Sequence, residues 1–172
     1  MLSLQDTALV GVAGTPSTVE TCQQVDVQDA DLGIGGVSGG DTTIKAGIKI
    51  ITNSPAIGST VTAISFWVLA TNNPDAKMYC YINATKSNDY FEASSIGSGF
   101  EKVTLNFTSG VTLQADDDIF LAAEDITTIN DSNQIKLDGE DSLDFQYQYQ
   151  IYYQGSWKNH NDRNLSWCWT TG

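Results

Sequence analysis

Leu143-Asp144-Phe145-Gln146-Tyr147-Gln148-Tyr149-Gln150-Ile151-Tyr152-Tyr153-Gln154 alternates apolar and polar side chains almost without a break. Successive side chains of an extended chain point to opposite faces, so this period of two predicts a strand with one face on a core. Phe145, Tyr147, Tyr149, Ile151 and Tyr153 would line the covered face, and Asp144, Gln146, Gln148, Gln150 and Tyr152 the polar one. The same period appears in residues 43–50, where Ile44, Ala46, Ile48 and Ile50 share one face and Lys45 and Lys49 take the other. Residues 61–70 (VTAISFWVLA) are apolar on both faces, as a central strand covered on each side would be.

Turn chemistry separates these runs. Asn72-Asn73-Pro74-Asp75 combines a fixed proline φ with residues that tolerate turn geometry, and it predicts that residues 77–84 return antiparallel to residues 61–70. Residues 100–113 alternate through Val103, Leu105 and Phe107, bend at Ser109-Gly110 and resume at Val111. A turn at residues 114–118 leads to a strand at 119–123, and residues 133–137 form another. Leu165, Trp167 and Trp169 close the chain on one face, and residues 9–12 and 19–27 are weaker strand candidates. No stretch shows helical periodicity. The expectation is an all-β chain, a two-sheet antiparallel β-sandwich.

Composition agrees. The acids comprise sixteen Asp and only five Glu, and Asp favours turns and caps where Glu favours helices. At 172 residues the chain can bury a sufficient core without a metal or a disulfide. Acids outnumber bases 21 to 8, a net charge of −13, which excludes general nucleic-acid binding and disfavours docking on an anionic membrane. No apolar run is long enough to insert in a bilayer. The first residues lack a basic leader region, and the apolar stretch at 8–13 is short for one, so either a leader was removed or export by that route does not occur. Cys22, Cys80 and Cys168 are too widely spaced for a disulfide framework or zinc ribbon; one long-range bridge is conceivable, but small buried hydrophobes are the favoured reading. Asn-x-Ser/Thr triplets begin at Asn83, Asn106, Asn130 and Asn164, which this composition largely explains. The glycine-rich residues 32–40 read as a hinge, with residues 1–41 an N-terminal arm or extra strands and residues 42–172 the sandwich.

From residue 42 onward the order of features resembles the jelly-roll sandwich of carbohydrate-binding-like modules and of phage or virus structural proteins. The matching pieces are residues 60–68, residues 99–107, residues 111–116 leading into 119–123, and Tyr152-Tyr153-Gln154-Gly155-Ser156-Trp157 before residues 162–167. The resemblance implies a jelly-roll type of sandwich and a surface role in binding or assembly.

The chemistry available is sparse. His160, the only histidine, reads as a loop residue with no nucleophile motif near it, so no enzyme is expected. Calcium needs hard oxygen ligands, and the weak candidates are Asp116, Asp117 and Asp118, Asp125 with Asp131, and Asp138, Glu140 and Asp141. Trp157 lies in a predicted turn, with Tyr152 on the polar side of its strand; beside Gln154, Asn159 and His160 it suits stacking on a sugar ring. The expected function is a non-catalytic virion or particle surface protein: a capsid decoration, capsid-associated or fibre-head domain. Its partners would be other copies of itself, with a trimer favoured, and other particle proteins. Surface glycans are a further candidate partner. The alternative is a secreted glycan-binding module carrying a structural calcium. Either reading puts the protein on a virion or an extracellular surface.

Overall fold

The computed structural model describes residues 18–23, 33–38, 41–140, 147–153, 156–160 and 164–172. The N-terminal strands are β1 (Val19–Gln23), β2 (Gly33–Ile34), β3 (Val37–Ser38) and β4 (Asp41–Thr42). Then come β5 (Lys45–Ile50), β6 (Thr60–Thr71), β7 (Asp75–Ile82), β8 (Thr85–Lys86) and β9 (Phe91–Glu92). A 3-10 turn at Ala93–Ser95 precedes β10 (Glu101–Thr112), β11 (Asp118–Thr128), β12 (Gln134–Leu137) and β13 (Gly139–Glu140). The chain continues through β14 (Tyr147–Tyr153), β15 (Ser156–His160), β16 (Asn164–Leu165) and β17 (Trp167–Thr171). No helix among the described residues is long and apolar enough to cross a membrane.

Two antiparallel sheets face each other. In the first, β6 is central, with β10 along one side and β17 and β12 end to end along the other; β1 extends β17 and β2 extends β12. The second runs β15-β14-β5-β11-β7, finished by β8 and β9. Ile64, Phe66, Val68, Leu105, Ile135, Trp167 and Trp169 of the first sheet meet Ala46, Ile48, Ile50, Met78, Ile82, Ile119 and Leu121 of the second. The all-β sandwich therefore follows the alternation, and in β5, β7 and β17 the buried face is the one the sequence marks as apolar.

One connection differs from expectation. β6 and β7 are not neighbours: the turn at Asn72–Asp75 reverses the chain and delivers β7 to the opposite sheet. Both flanks of β6 are already occupied, by β10 and by β17 with β12, and its burial on both faces reflects that. The long strands β5, β6, β7, β10, β11 and β12 alternate between sheets at every step.

The N-terminal segment adds to the first sheet where it is described. β1 pairs with β17, and Ile34 of β2 is fully buried beside Ile135. Gly33 is required there, because a Cβ would lie 2.4 Å from the Ile135 carbonyl oxygen. The favoured reading of three unpaired cysteines is overturned. Cys22 and Cys168 stand directly opposite each other on β1 and β17 and form a disulfide, leaving Cys80 free and buried. Separated by 146 residues, they carry no local sign of pairing; only strand register brings them together.

The outer edge of β10 is closed by side chains. Asp89 accepts hydrogen bonds from the Asn106 backbone N–H and side-chain amide, each at 2.7 Å, and Asn88 accepts one from the Thr108 N–H at 2.8 Å. An unpaired strand edge invites further pairing, and these contacts occupy it next to the irregular register between Asn106 and Val111.

Candidate functional site

The outer face of the second sheet carries aromatic residues and lysines in two neighbouring rows that cross the strands. One row is Trp157, Tyr152, Lys45, Ala122 and Tyr79, taken from β15, β14, β5, β11 and β7. The adjacent row is Gln150, Gly47, Phe120, Tyr81 and Lys86. Two small members set the relief. Ala122 stands among much larger neighbours, and Gly47 lets β5 and β11 approach so closely that a Cβ would fall 2.1 Å from the Ile119 oxygen and 2.6 Å from the Phe120 Cβ. The result is a cavity of about 380 Å³ lined by Lys45, Tyr81, Asn83, Phe120, Ala122 and Glu124 among others. That lies within the range of small-molecule sites, roughly 300–1,000 Å³.

The rings touch in sequence. Tyr81 stacks on Phe120 with centroids 5.2 Å apart, Phe120 meets the Trp157 ring edge-on at 5.0 Å, and Trp157 meets Tyr152 at 5.3 Å. The Lys45 Nζ lies 4.9 Å from the Tyr152 centroid and 5.5 Å from that of Phe120, within range of a cation–π attraction. On the far side the Lys86 Nζ sits 3.4 Å from the Tyr79 centroid and pairs with Glu124 at 2.5 Å. The Tyr81 hydroxyl donates to the same carboxylate. Burial pushes the Glu124 carboxyl up, but the hydrogen bonds from Lys86 and Tyr81 outweigh it and hold the group below its ordinary value. Burial, then the bond to Glu124, raises the Tyr81 phenol, and the bond to Glu124 raises the Lys86 ammonium.

Two of the five sugar-stacking candidates meet here. Trp157 and Tyr152 touch, but Trp157 lies within β15 and is half-buried against Phe120 and Tyr152 rather than standing out from a turn. His160 also belongs to β15, paired with Tyr149 across the ladder, so it is a strand residue and not a loop one. Asn159 pairs with Gln150, and Gln154 lies outside the described residues. The Gln150 side chain is fully buried instead of solvated: its amide donates to the Ile48 carbonyl at 3.3 Å and to Asp118 at 2.7 Å, leaving its own carbonyl oxygen unpaired. The glycine opposite it gives this side chain room to lie flat on the sheet. Lys45, Phe120, Tyr81 and Glu124 were not singled out by sequence reasoning. Each reads locally as an ordinary strand residue, and only register across three strands assembles them.

The acidic candidates have structural roles where they are described. Asp117 accepts from the Gln114 N–H and from the Asn83 amide, both at 2.7 Å, and Asp118 pairs with Lys49 at 2.8 Å. Asp116 adopts a φ of 71° in the turn, and its carbonyl accepts from Lys49. Asp125 pairs with Lys77 at 2.7 Å, and Asp131 lies in an exposed turn. Asp138 is fully buried, its backbone bonded to Trp67 and Ser166. Glu140 is a strand residue of β13, and Asp141 lies outside the described residues. Among the described residues, three acid, cysteine or histidine ligand atoms come within 4.8 Å of one another only at Glu20, Cys22 and Cys168, where both sulfurs are committed to the disulfide.

The class that fold defines is the antiparallel two-sheet β-sandwich with an aromatic strip on one outer face. Comparison with protein-family models, curated proteins and solved structures gives no match to this chain.

Proposed function

We propose that this protein is a non-catalytic binding domain of an extracellular surface, and that it takes glycan on the outer face of its second sheet. The observation that carries the reading is the contiguous strip of Trp157, Tyr152, Phe120 and Tyr81 around a cavity edged by Lys45 and Glu124. Sugars offer apolar C–H faces and a rim of hydroxyls, and aromatic rings flanked by donors and a carboxylate complement both. The extracellular setting is supported by the Cys22–Cys168 bridge, since disulfides persist in oxidising compartments and are rare in a reducing cytosol. The same bridge weighs against the particle-component reading insofar as that reading relies on assembly inside the cell. The particle-component reading, with a trimer favoured, draws its support from the sandwich fold and the acidic surface.

Glycan-array screening of the full chain, followed by calorimetry on the best binder, tests the proposal. Binding should be seen, and Trp157→Ala should weaken it at least roughly tenfold, about the loss expected when one aromatic contact is removed. Failure of the intact protein to bind any glycan would sink the reading.

A further inference from the structure

Resting on the glycan reading, we infer that the sugar bound on this strip is acidic, its carboxylate held by the Lys45 ammonium. In a chain with 21 acids and 8 bases, lysines find carboxylates readily. Lys49, Lys77, Lys86 and Lys102 each hold one, at 2.8, 2.7, 2.5 and 2.5 Å. Lys45 does not, although it borders the same cavity as Glu124. Its Nζ rests instead over the rings of Tyr152 and Phe120. Ring faces attract a cation but accept no strong hydrogen bond, so three ammonium donors remain at the cavity rim with no anionic partner among the described residues.

The stem of Lys45 is held in the middle of the sheet, on β5 between Tyr152 and Ala122. The ammonium is therefore placed, not trailing in solvent, and a placed donor loses little freedom on binding. Ala122 and Phe120 are themselves buried and form the floor of the cavity, so a pyranose resting against the half-buried Tyr81, Tyr152 and Trp157 at its rim would bring a ring substituent towards it. A carboxylate is the substituent that uses a cation best, through a charge-assisted hydrogen bond. Glu124 does not compete with the anion for Lys45, because it is already paired with Lys86 and with the Tyr81 hydroxyl. The overall negative charge does not forbid the contact, since screening at physiological salt reduces distant charges beyond about 8 Å.

The test uses the full chain and a set of uronic-acid and sialic-acid oligosaccharides, each beside its carboxyl-reduced counterpart. The best acidic ligand should bind roughly tenfold more tightly than its reduced form, the contribution of one hydrogen bond to a charged group. Lys45→Gln should abolish that ratio, weakening the acidic form far more than the reduced one, and added salt should narrow the ratio in the unmodified protein. Equal affinity for the acidic and reduced forms, or binding of neither, overturns this inference; the glycan reading itself falls only if the intact protein also binds nothing on the array. If Lys45→Gln fails to fold, the wild-type ratio and its salt dependence still decide, and a ratio insensitive to salt overturns the carboxylate contact.

Discussion

Glu124 sits between two donors, the Tyr81 hydroxyl and the Lys86 ammonium, and their arrangement sets how the strip responds to pH. The Glu124 carboxyl lies below its ordinary 4.5 in the folded protein, so its contribution to stability is present above that pH and fades as the pH falls through the lowered value. The Lys86 ammonium and the Tyr81 phenol are raised above 10.5 and 10.0, so theirs is complete below those values and fades as alkali carries the pH through the raised ones. The triad is thus intact across the neutral range. Tyr81→Phe removes one donor, and a carboxyl-resolved NMR titration should show Glu124 moving up towards 4.5; no movement would mean that the phenol does not support the carboxylate.

Between β5 and β11, Gly47 leaves no room for a side chain. Gly47→Ala puts a Cβ against the Ile119 oxygen and Phe120, and the two strands must part. The expected cost is about 1–3 kcal/mol, the usual penalty for overpacking, measured by urea denaturation. Glycan affinity should drop too, because Phe120 would be displaced. These strands also show what the sequence could and could not reveal. Lys45-Ala46-Gly47-Ile48-Lys49-Ile50 declares its inward face, since Ala46, Ile48 and Ile50 are all fully buried. Nothing in it says that Lys45 will meet Tyr152 and Phe120, because strand order is decided by long-range pairing. Ser156-Trp157-Lys158-Asn159-His160 reads as a turn for a different reason: at the sheet's end it is polar apart from one tryptophan, and alternation has little to register. The Asn72–Asp75 turn reveals a reversal of direction but not which sheet receives the returning chain.

For the whole molecule, the Cys22–Cys168 bridge closes a loop spanning most of the sequence. Constraining so long a loop in the unfolded chain should contribute about 2–5 kcal/mol. Denaturation with and without reductant should differ by that amount, and Cys22→Ser should reproduce the reduced protein. Equal stability in both states would show that β1 is held by its ladder and packing alone. The proposed glycan site lies on the other sheet's outer face, so the proposed binding should persist in reduced but folded protein.

The alternation of strands between sheets bears on how the chain must be made. β17, at residues 167–171, is inserted between β1 and β6, and β14 takes its place beside β5 only after some hundred intervening residues. Neither layer can be completed before β14 and β17 have been made. Such topologies fold slowly because distant segments must meet before any contact rewards them. Cys22 and Cys168 should therefore join only once β17 is available to pair with β1.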